Sequence, residues 1–132
     1  MTIAEVSKKY DISADTLRYY ERIGLIPPVH RTAGGIRDYT DDDCNWVGFV
    51  KCMRSAGLTI EALIEYVTLY QQGDETIQAR KDLLIEQRRL LLERIEEMQA
   101  TVKRLDGKIE RYDQWNQRFS EKFAQNNKTT TE

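Results

Sequence analysis

Ile12-Ser13-Ala14-Asp15-Thr16-Leu17-Arg18-Tyr19-Tyr20-Glu21-Arg22-Ile23-Gly24-Leu25 is the stretch whose reading decides the fold. Ser13 is in place to cap a helix, with Asp15 and Thr16 in the first turn, where acidic and hydroxyl side chains suit the exposed N–H groups. Ile12 and Leu17 give it an apolar edge. Gly24 tolerates the left-handed backbone of a helix stop, and Pro27-Pro28 forbids resumption. The spacing predicts a short helix with Thr16, Arg18, Tyr19 and Tyr20 on its outer face. Such a face suits nucleic acid, although an amphipathic surface helix has the same pattern.

Upstream, Thr2 and Glu5 stand in capping-box spacing, so a helix is expected from Thr2 to Lys9. Tyr10 to Ser13 is then a tight turn, and the two helices read as helix-turn-helix, with a plain αα-hairpin as the alternative. Downstream, Val29 to Thr32 and Ile36 to Tyr39 are short runs rich in β-branched and aromatic residues, separated by Ala33-Gly34-Gly35. That is a β-hairpin signal. With Arg31, Arg37 and Tyr39 expected on its surface, the hairpin reads as a wing. His30 is the chain's single histidine, and it is expected to be a solvated hairpin residue rather than a ligand.

Thr40 caps a third predicted helix, and Asp41, Asp42 and Asp43 place carboxylates at the positive end of its dipole. Consecutive helical residues point in different directions, so these three do not read as a metal site. The apolar stripe is Cys44, Val47, Val50, Met53 and Ala56, and Gly57 ends the helix. Thr59 caps a fourth, with Ile60, Leu63, Ile64, Val67 and Tyr70 on one side and Gly73 at the end.

From about Glu75 the period lengthens. Leu84, Leu91, Met98, Leu105 and Tyr112 recur every seven residues, and Ile95, Val102 and Ile109 fall four residues after their predecessors. A seam of this kind marks a coiled coil. Left alone it would be wet, so a second copy of the chain is the expected partner. The domain boundaries follow: 1–73 for the DNA-binding domain with its second helical hairpin, 75–123 for the dimerisation helix and a short C-terminal segment, and 124–132 for a polar tail expected to be disordered. The expected fold class is all-α with a small β-hairpin wing, a winged helix-turn-helix domain followed by a long dimerisation helix.

Bulk properties narrow the function. Among 132 residues, 32% are charged, and the net charge is −2. Any nucleic-acid binding must therefore use a local patch and not a bulk positive field. No leader or long apolar run stands out, so the chain is expected in the cytoplasm and off the membrane. Cys44 and Cys52, if both lie on the third helix, are about 12 Å apart along its axis. Disulfide geometry needs about 7 Å, so they cannot pair with each other or share one metal ion. With one histidine and no glycine-rich phosphate loop, an enzyme is not expected, nor a cofactor or a metal. The order helix, turn, helix, hairpin, with Thr16, Arg18, Tyr19, Tyr20, Arg31, Arg37 and Tyr39 as contact candidates, points to double-stranded DNA read by a dimer at two half-sites.

Three quoted segments together resemble the MerR family of transcriptional regulators: Ile-Ala-Glu-Val-Ser (3–7), Thr-Leu-Arg-Tyr-Tyr-Glu-Arg-Ile-Gly-Leu-Ile (16–26) and Arg-Thr-Ala-Gly-Gly-Ile-Arg-Asp-Tyr-Thr (31–40). Gly57-Leu58-Thr59-Ile60 and the long helix continue the match. The resemblance implies a homodimer whose long helices pair as an antiparallel coiled coil. It also implies a promoter dyad with an overlong spacer, and an effector that makes the dimer distort the DNA so that RNA polymerase engages, usually for activation. Metal-sensing members carry cysteines near and after the end of the long helix, and no cysteine follows Cys52 here. Cys44 lies on the apolar stripe and reads as a core thiol. Cys52 lies off it, beside Lys51 and near Arg54, where basic neighbours can favour a thiolate. This is similar to the single-cysteine members that respond to thiol-reactive aldehydes and other electrophiles. Two alternatives stay open: a regulator with a non-covalent ligand near Tyr66, Tyr70 and the coil, and a coiled-coil interaction module with no DNA role.

Overall fold

The computed structural model describes the backbone of residues 1–130 and the side chains of residues 1–124. Among the described residues five α-helices follow in order: α1 (Ile3–Tyr10), α2 (Ala14–Ile23), α3 (Asp41–Ser55), α4 (Ile60–Gln71) and α5 (Ile77–Thr130), with a 3-10 turn at Asp74–Thr76 before α5. The chain forms two compact units, Met1–Leu91 and the part from Leu92 on. The backbone stays helical through Thr130, with no glycine or proline after Gly107 to stop it. Most of the expected tail, 124–132, lies outside the described side chains.

Each of the first four helices begins on a hydroxyl cap. Thr2, Ser13, Thr40 and Thr59 accept the backbone N–H of Glu5, Thr16, Asp43 and Ala62 respectively, and Thr2 and Thr40 complete reciprocal capping boxes. These bonds satisfy donors that a helix start cannot satisfy internally. α2 stops at Gly24 with φ +83°, the conformation glycine adopts without a Cβ clash. The tight turn before α2 uses Asp11 at φ 53°, one of the few residue types that enters this region.

One hydrophobic core holds the first unit together. Val6, Leu17, Val47 and Val50 are fully buried, joined by Ile12, Leu25, Ile26, Val29, Tyr39, Cys44, Leu58 and Leu63. The α3 stripe faces this core as its spacing predicts, with Met53 and Ala56 at its half-buried edge. Gly48 of α3 passes close to Tyr10 of α1, where an added Cβ would sit 3.3 Å from the ring. Beside it, the Lys51 amine donates to the Tyr10 carbonyl, one of the acceptors left free at the end of α1.

The 28–40 segment is not a β-hairpin of two strands. Among the described residues it forms one isolated antiparallel bridge, Arg31 to Arg37, closed by Thr32 N–H to Ile36 O (2.8 Å) and Asp38 N–H to His30 O (2.7 Å). The runs on either side of Gly34-Gly35 are too short to extend the ladder, and side-chain contacts hold the segment instead. Among the described residues no helix is long and apolar enough to cross a membrane, and no three metal-ligating side chains converge.

Candidate nucleic-acid interface

The outer face of α2 carries Thr16, Arg18, Tyr19 and Tyr20, but the four are not equivalent. Arg18 and Tyr19 are exposed. The Arg18 guanidinium pairs with Asp15 one turn earlier (2.9 Å), an exposed pair that holds the side chain weakly. Tyr19 lies under the Arg22 guanidinium, 5.5 Å from its ring centre. Thr16 is half-buried, and its hydroxyl accepts a hydrogen bond from Ser13 (2.8 Å) as part of the helix start. Tyr20 leans against the core with only part of its surface free.

Glu21, on the same helix, organises the segment that follows. Its carboxylate accepts Val29 N–H (2.9 Å) and Arg37 Nε–H (2.7 Å), and the Arg31 guanidinium approaches it at 3.8 Å. The Glu21 side chain is 12% exposed, so these charge-assisted bonds are sheltered from water. One carboxylate therefore ties both arginines of the 28–40 segment to the end of α2. Sequence reading missed this role because the partners lie 8 and 16 residues away and no local spacing marks them.

Asp43 ties the other side. It is 4% exposed, and Oδ2 accepts from Thr40 N–H (3.0 Å), His30 N–H (3.2 Å) and His30 Nδ1 (2.9 Å). Burial acts to raise its pKa, but the hydrogen bonds from Thr40 and His30 outweigh it, and the carboxyl titrates below its ordinary value. Asp41 and Asp42, its neighbours in the same run, stay exposed.

Tyr39 corrects an expectation. It is not on the surface but 2% exposed, part of the core, with its backbone N–H donating to Met1 O (2.8 Å). Its hydroxyl is enclosed without a hydrogen-bond partner, and burial pushes its pKa up. In a strand Tyr39 would share a face with Arg37 two residues earlier, and the hairpin reading placed that face on the surface. Pairing with the first residue of the chain turns it inward. The basic surface beside Arg18 and Tyr19 thus consists of Arg31, exposed, and Arg37, half-buried.

Cys44 is buried (3% exposed), and burial raises its thiol pKa. Cys52 is exposed. The cations expected to activate it are engaged with carbonyls, Lys51 with Tyr10 and Arg54 with Leu58 (2.6 Å). Also on α3, Trp46 and Phe49 meet Tyr66 and Tyr70 of α4, with ring centres 4.9 to 5.7 Å apart. With Asp42 and Asn45 they line a shallow cleft of about 230 Å³.

On α5, Leu84, Ile95, Met98, Val102, Leu105, Ile109 and Tyr112 are exposed and Leu91 half-buried in the single chain. Trp115, Phe119 and Phe123 beyond them are 65%, 67% and 59% exposed.

Comparison with known proteins agrees with this arrangement. Residues 1–69 match the model of the MerR helix-turn-helix family of regulatory proteins, and residues 45–108 match a second model described as MerR, DNA binding. The chain is 58% identical over 93 residues to the transcriptional regulator AdhR of Bacillus subtilis, across 70% of this chain and 66% of that relative's length. A solved MerR family regulator from Listeria monocytogenes superposes with a TM-score of 0.83 at 51% identity, covering 86% of each chain. HiNmlR, a MerR family regulator lacking the sensor domain and solved bound to promoter DNA, superposes at 0.78 with 31% identity, over 86% of this chain and 90% of its own. These relatives are regulators, not enzymes. From the capped helix-turn-helix to the long α5, this chain belongs to the MerR family of helix-turn-helix regulatory proteins.

Proposed function

We propose that the chain is a homodimeric transcriptional regulator that binds a promoter dyad through α2 and the bridged 28–40 segment. The observation that carries the reading is the Glu21 latch, which sets Arg31 and Arg37 at the end of the helix that exposes Arg18 and Tyr19. In this reading α2 is the recognition helix and the segment is its wing. Arg18 reaches a base edge or phosphate, while Thr16, Tyr19, Tyr20, Arg31 and Arg37 fix the register on the backbone. Tyr39 supports the wing from beneath. Paired α5 helices hold two such surfaces for two half-sites. HiNmlR, solved on promoter DNA with a closely similar fold, supports the same use of the surface here.

Titration of a labelled promoter fragment tests this. Arg18→Ala is expected to weaken binding by about 1–3 kcal/mol if the residue reads a base. Arg31→Ala is expected to weaken binding on all sequences and to flatten the salt dependence by about one phosphate contact. Equal binding by Arg18→Ala and wild type would remove α2 from the recognition role.

The effector reading follows the exposed thiol. An aldehyde or other electrophile adds to Cys52, and the dimer then distorts the spacer so that RNA polymerase engages the promoter. The support is the exposure of Cys52 beside the buried Cys44 and the likeness to AdhR. Run-off transcription with a reactive aldehyde is expected to rise for wild type and to stay at the basal level for Cys52→Ser. Unchanged induction in that variant would shift the reading to a non-covalent ligand near Tyr66 and Tyr70, where the cleft offers a concave aromatic surface.

A further inference from the structure

Among the described residues, Ile36 is the most exposed large apolar side chain, at 69%. The next three, Phe119, Trp115 and Met98, all lie on α5, the dimerisation helix. Ile36 lies instead at the turn of the bridged 28–40 segment, between Arg31 and Arg37. We infer that Ile36 is a specificity-determining residue, an apolar tip that enters the minor groove and selects A·T over G·C pairs there. The inference rests on the DNA-binding reading of the preceding section.

A lone exposed isoleucine is ordinary on a protein surface. This one differs in how its turn is built. Ile36 N–H donates to the Thr32 hydroxyl (3.2 Å), and the Ile36 carbonyl accepts Thr32 N–H (2.8 Å). Gly35 N–H donates to Thr32 O (2.9 Å), and the Gly35 carbonyl accepts from the Arg31 guanidinium (3.0 Å). Gly35 makes the sharp bend at φ +83°, where a side chain would be strained. Both backbone groups of Ile36 are therefore engaged within the turn. Its side chain is outside the core and outside the half-buried fringe of the core. What the tip presents is an alkyl group on a fixed backbone.

Its place relative to α2 names the surface it meets. Glu21 holds Arg31 and Arg37 to the end of α2. With α2 in the major groove, these arginines meet the phosphates that border it. Residues 32–36 loop out beyond the Arg31–Arg37 bridge. They reach past those phosphates to the next groove, the minor one. Every base pair there offers acceptors, and only G·C adds a donor, the guanine N2 amine. That amine stands out from the groove floor and needs an acceptor. The isoleucine side chain has none, and it shuts out the water that would otherwise serve. Over A·T the same side chain rests against the groove with no donor left unpaired. Ile36 thus discriminates by excluding one base pair, not by hydrogen-bonding the other.

The test uses a two-half-site fragment selected by the wild-type chain from a randomised pool, then changed one base pair at a time from A·T to G·C and to inosine·C. Inosine lacks the N2 amine but shows the major-groove face of guanine. A minor-groove reader therefore treats inosine·C as A·T, and a major-groove reader treats it as G·C. The expected result is at least one position per half-site where wild type binds A·T and inosine·C alike and G·C about 5- to 50-fold more weakly. Ile36→Ser, which admits water and brings an acceptor, is expected to lose most of that difference, and Ile36→Val to keep it. The salt dependence of Ile36→Ser should match wild type, because no phosphate contact is lost. Inosine·C bound as weakly as G·C at every position overturns the assignment, as does full discrimination retained by Ile36→Ser. A flatter salt dependence in Ile36→Ser also overturns it, because the change would then act through Arg31 or Arg37. Weakened binding by Arg18→Ala alongside any of these results leaves the DNA-binding reading standing. A wild-type chain that enriches no fragment from the pool overturns both.

Discussion

Ile95→Asp is expected to turn the dimer into a monomer at micromolar concentration and to lower affinity for a two-half-site promoter by about 10²–10⁴-fold. Ile95 lies in the middle of the seam and is 42% exposed in the single chain. In a paired coil it becomes core. A carboxylate there must lose water without gaining a partner, at a cost of several kcal/mol per copy. Ile95 lies three residues from Met98, the midpoint of the seam, so in an antiparallel pair the two introduced charges are offset by only about 9 Å along the axis and repel each other. Operator affinity falls as well because a dimer binds its second half-site as an intramolecular event, and that advantage is commonly about 10²–10⁴-fold. Ile95→Leu keeps the volume and is expected to cost less than about 1.5 kcal/mol. Light scattering across a dilution series, with anisotropy on one-half-site and two-half-site DNA, separates the two effects. The monomer should bind a single half-site as wild type does. A dimeric Ile95→Asp protein would show that the seam is not the interface.

The features legible in the sequence are those set by neighbours a few residues apart. The four hydroxyl caps, the Gly24 stop, the α3 stripe and the buried Cys44 all depend on contacts within one or two turns. The features that sequence reading missed depend on distant partners. Tyr39 is buried because its backbone pairs with Met1, 38 positions away. Glu21 becomes a latch because the chain returns after Pro27-Pro28 and brings Val29, Arg31 and Arg37 back to the end of α2. The Gly34-Gly35 turn signal between β-branched and aromatic runs located a turned-back segment at 28–40 but overstated its ladder. Only one bridge forms, and ion pairs and buried apolar residues replace strand pairing. In the same way, three consecutive aspartates read alike as helix-start carboxylates. Only Asp43 meets His30, and that meeting separates a buried structural acid from two solvated ones.

Asp43→Ala is expected to destabilise the first unit by about 2–4 kcal/mol at neutral pH, since it removes the Asp43 half of the Thr40 capping box and leaves N–H groups of Thr40 and His30 without their acceptor. The side chain at the His30 end is 65% exposed, so water replaces part of what is lost there and keeps the figure moderate. A carboxylate can only accept hydrogen bonds, so His30 Nδ1 must carry a proton towards it. The sign of the pH dependence follows from the lowered pKa of Asp43. The folded state binds the proton less readily than the unfolded chain. The ionised carboxylate therefore contributes its full stability above the ordinary carboxylate range, and that contribution is lost as pH falls through the folded pKa. Urea melts of wild type and Asp43→Asn at pH 7 and in acid should show a gap that narrows in acid. Asn keeps one acceptor oxygen but brings an NH₂ group towards donors, so it should be less stable than Asp at pH 7. A gap of the same size at both pH values would mean that packing, and not charge, gives Asp43 its role. Because the same carboxylate holds His30 at the start of the bridged segment, losing it should also loosen Arg31 and Arg37. Promoter binding by Asp43→Asn is therefore expected to weaken even under conditions where the variant is fully folded.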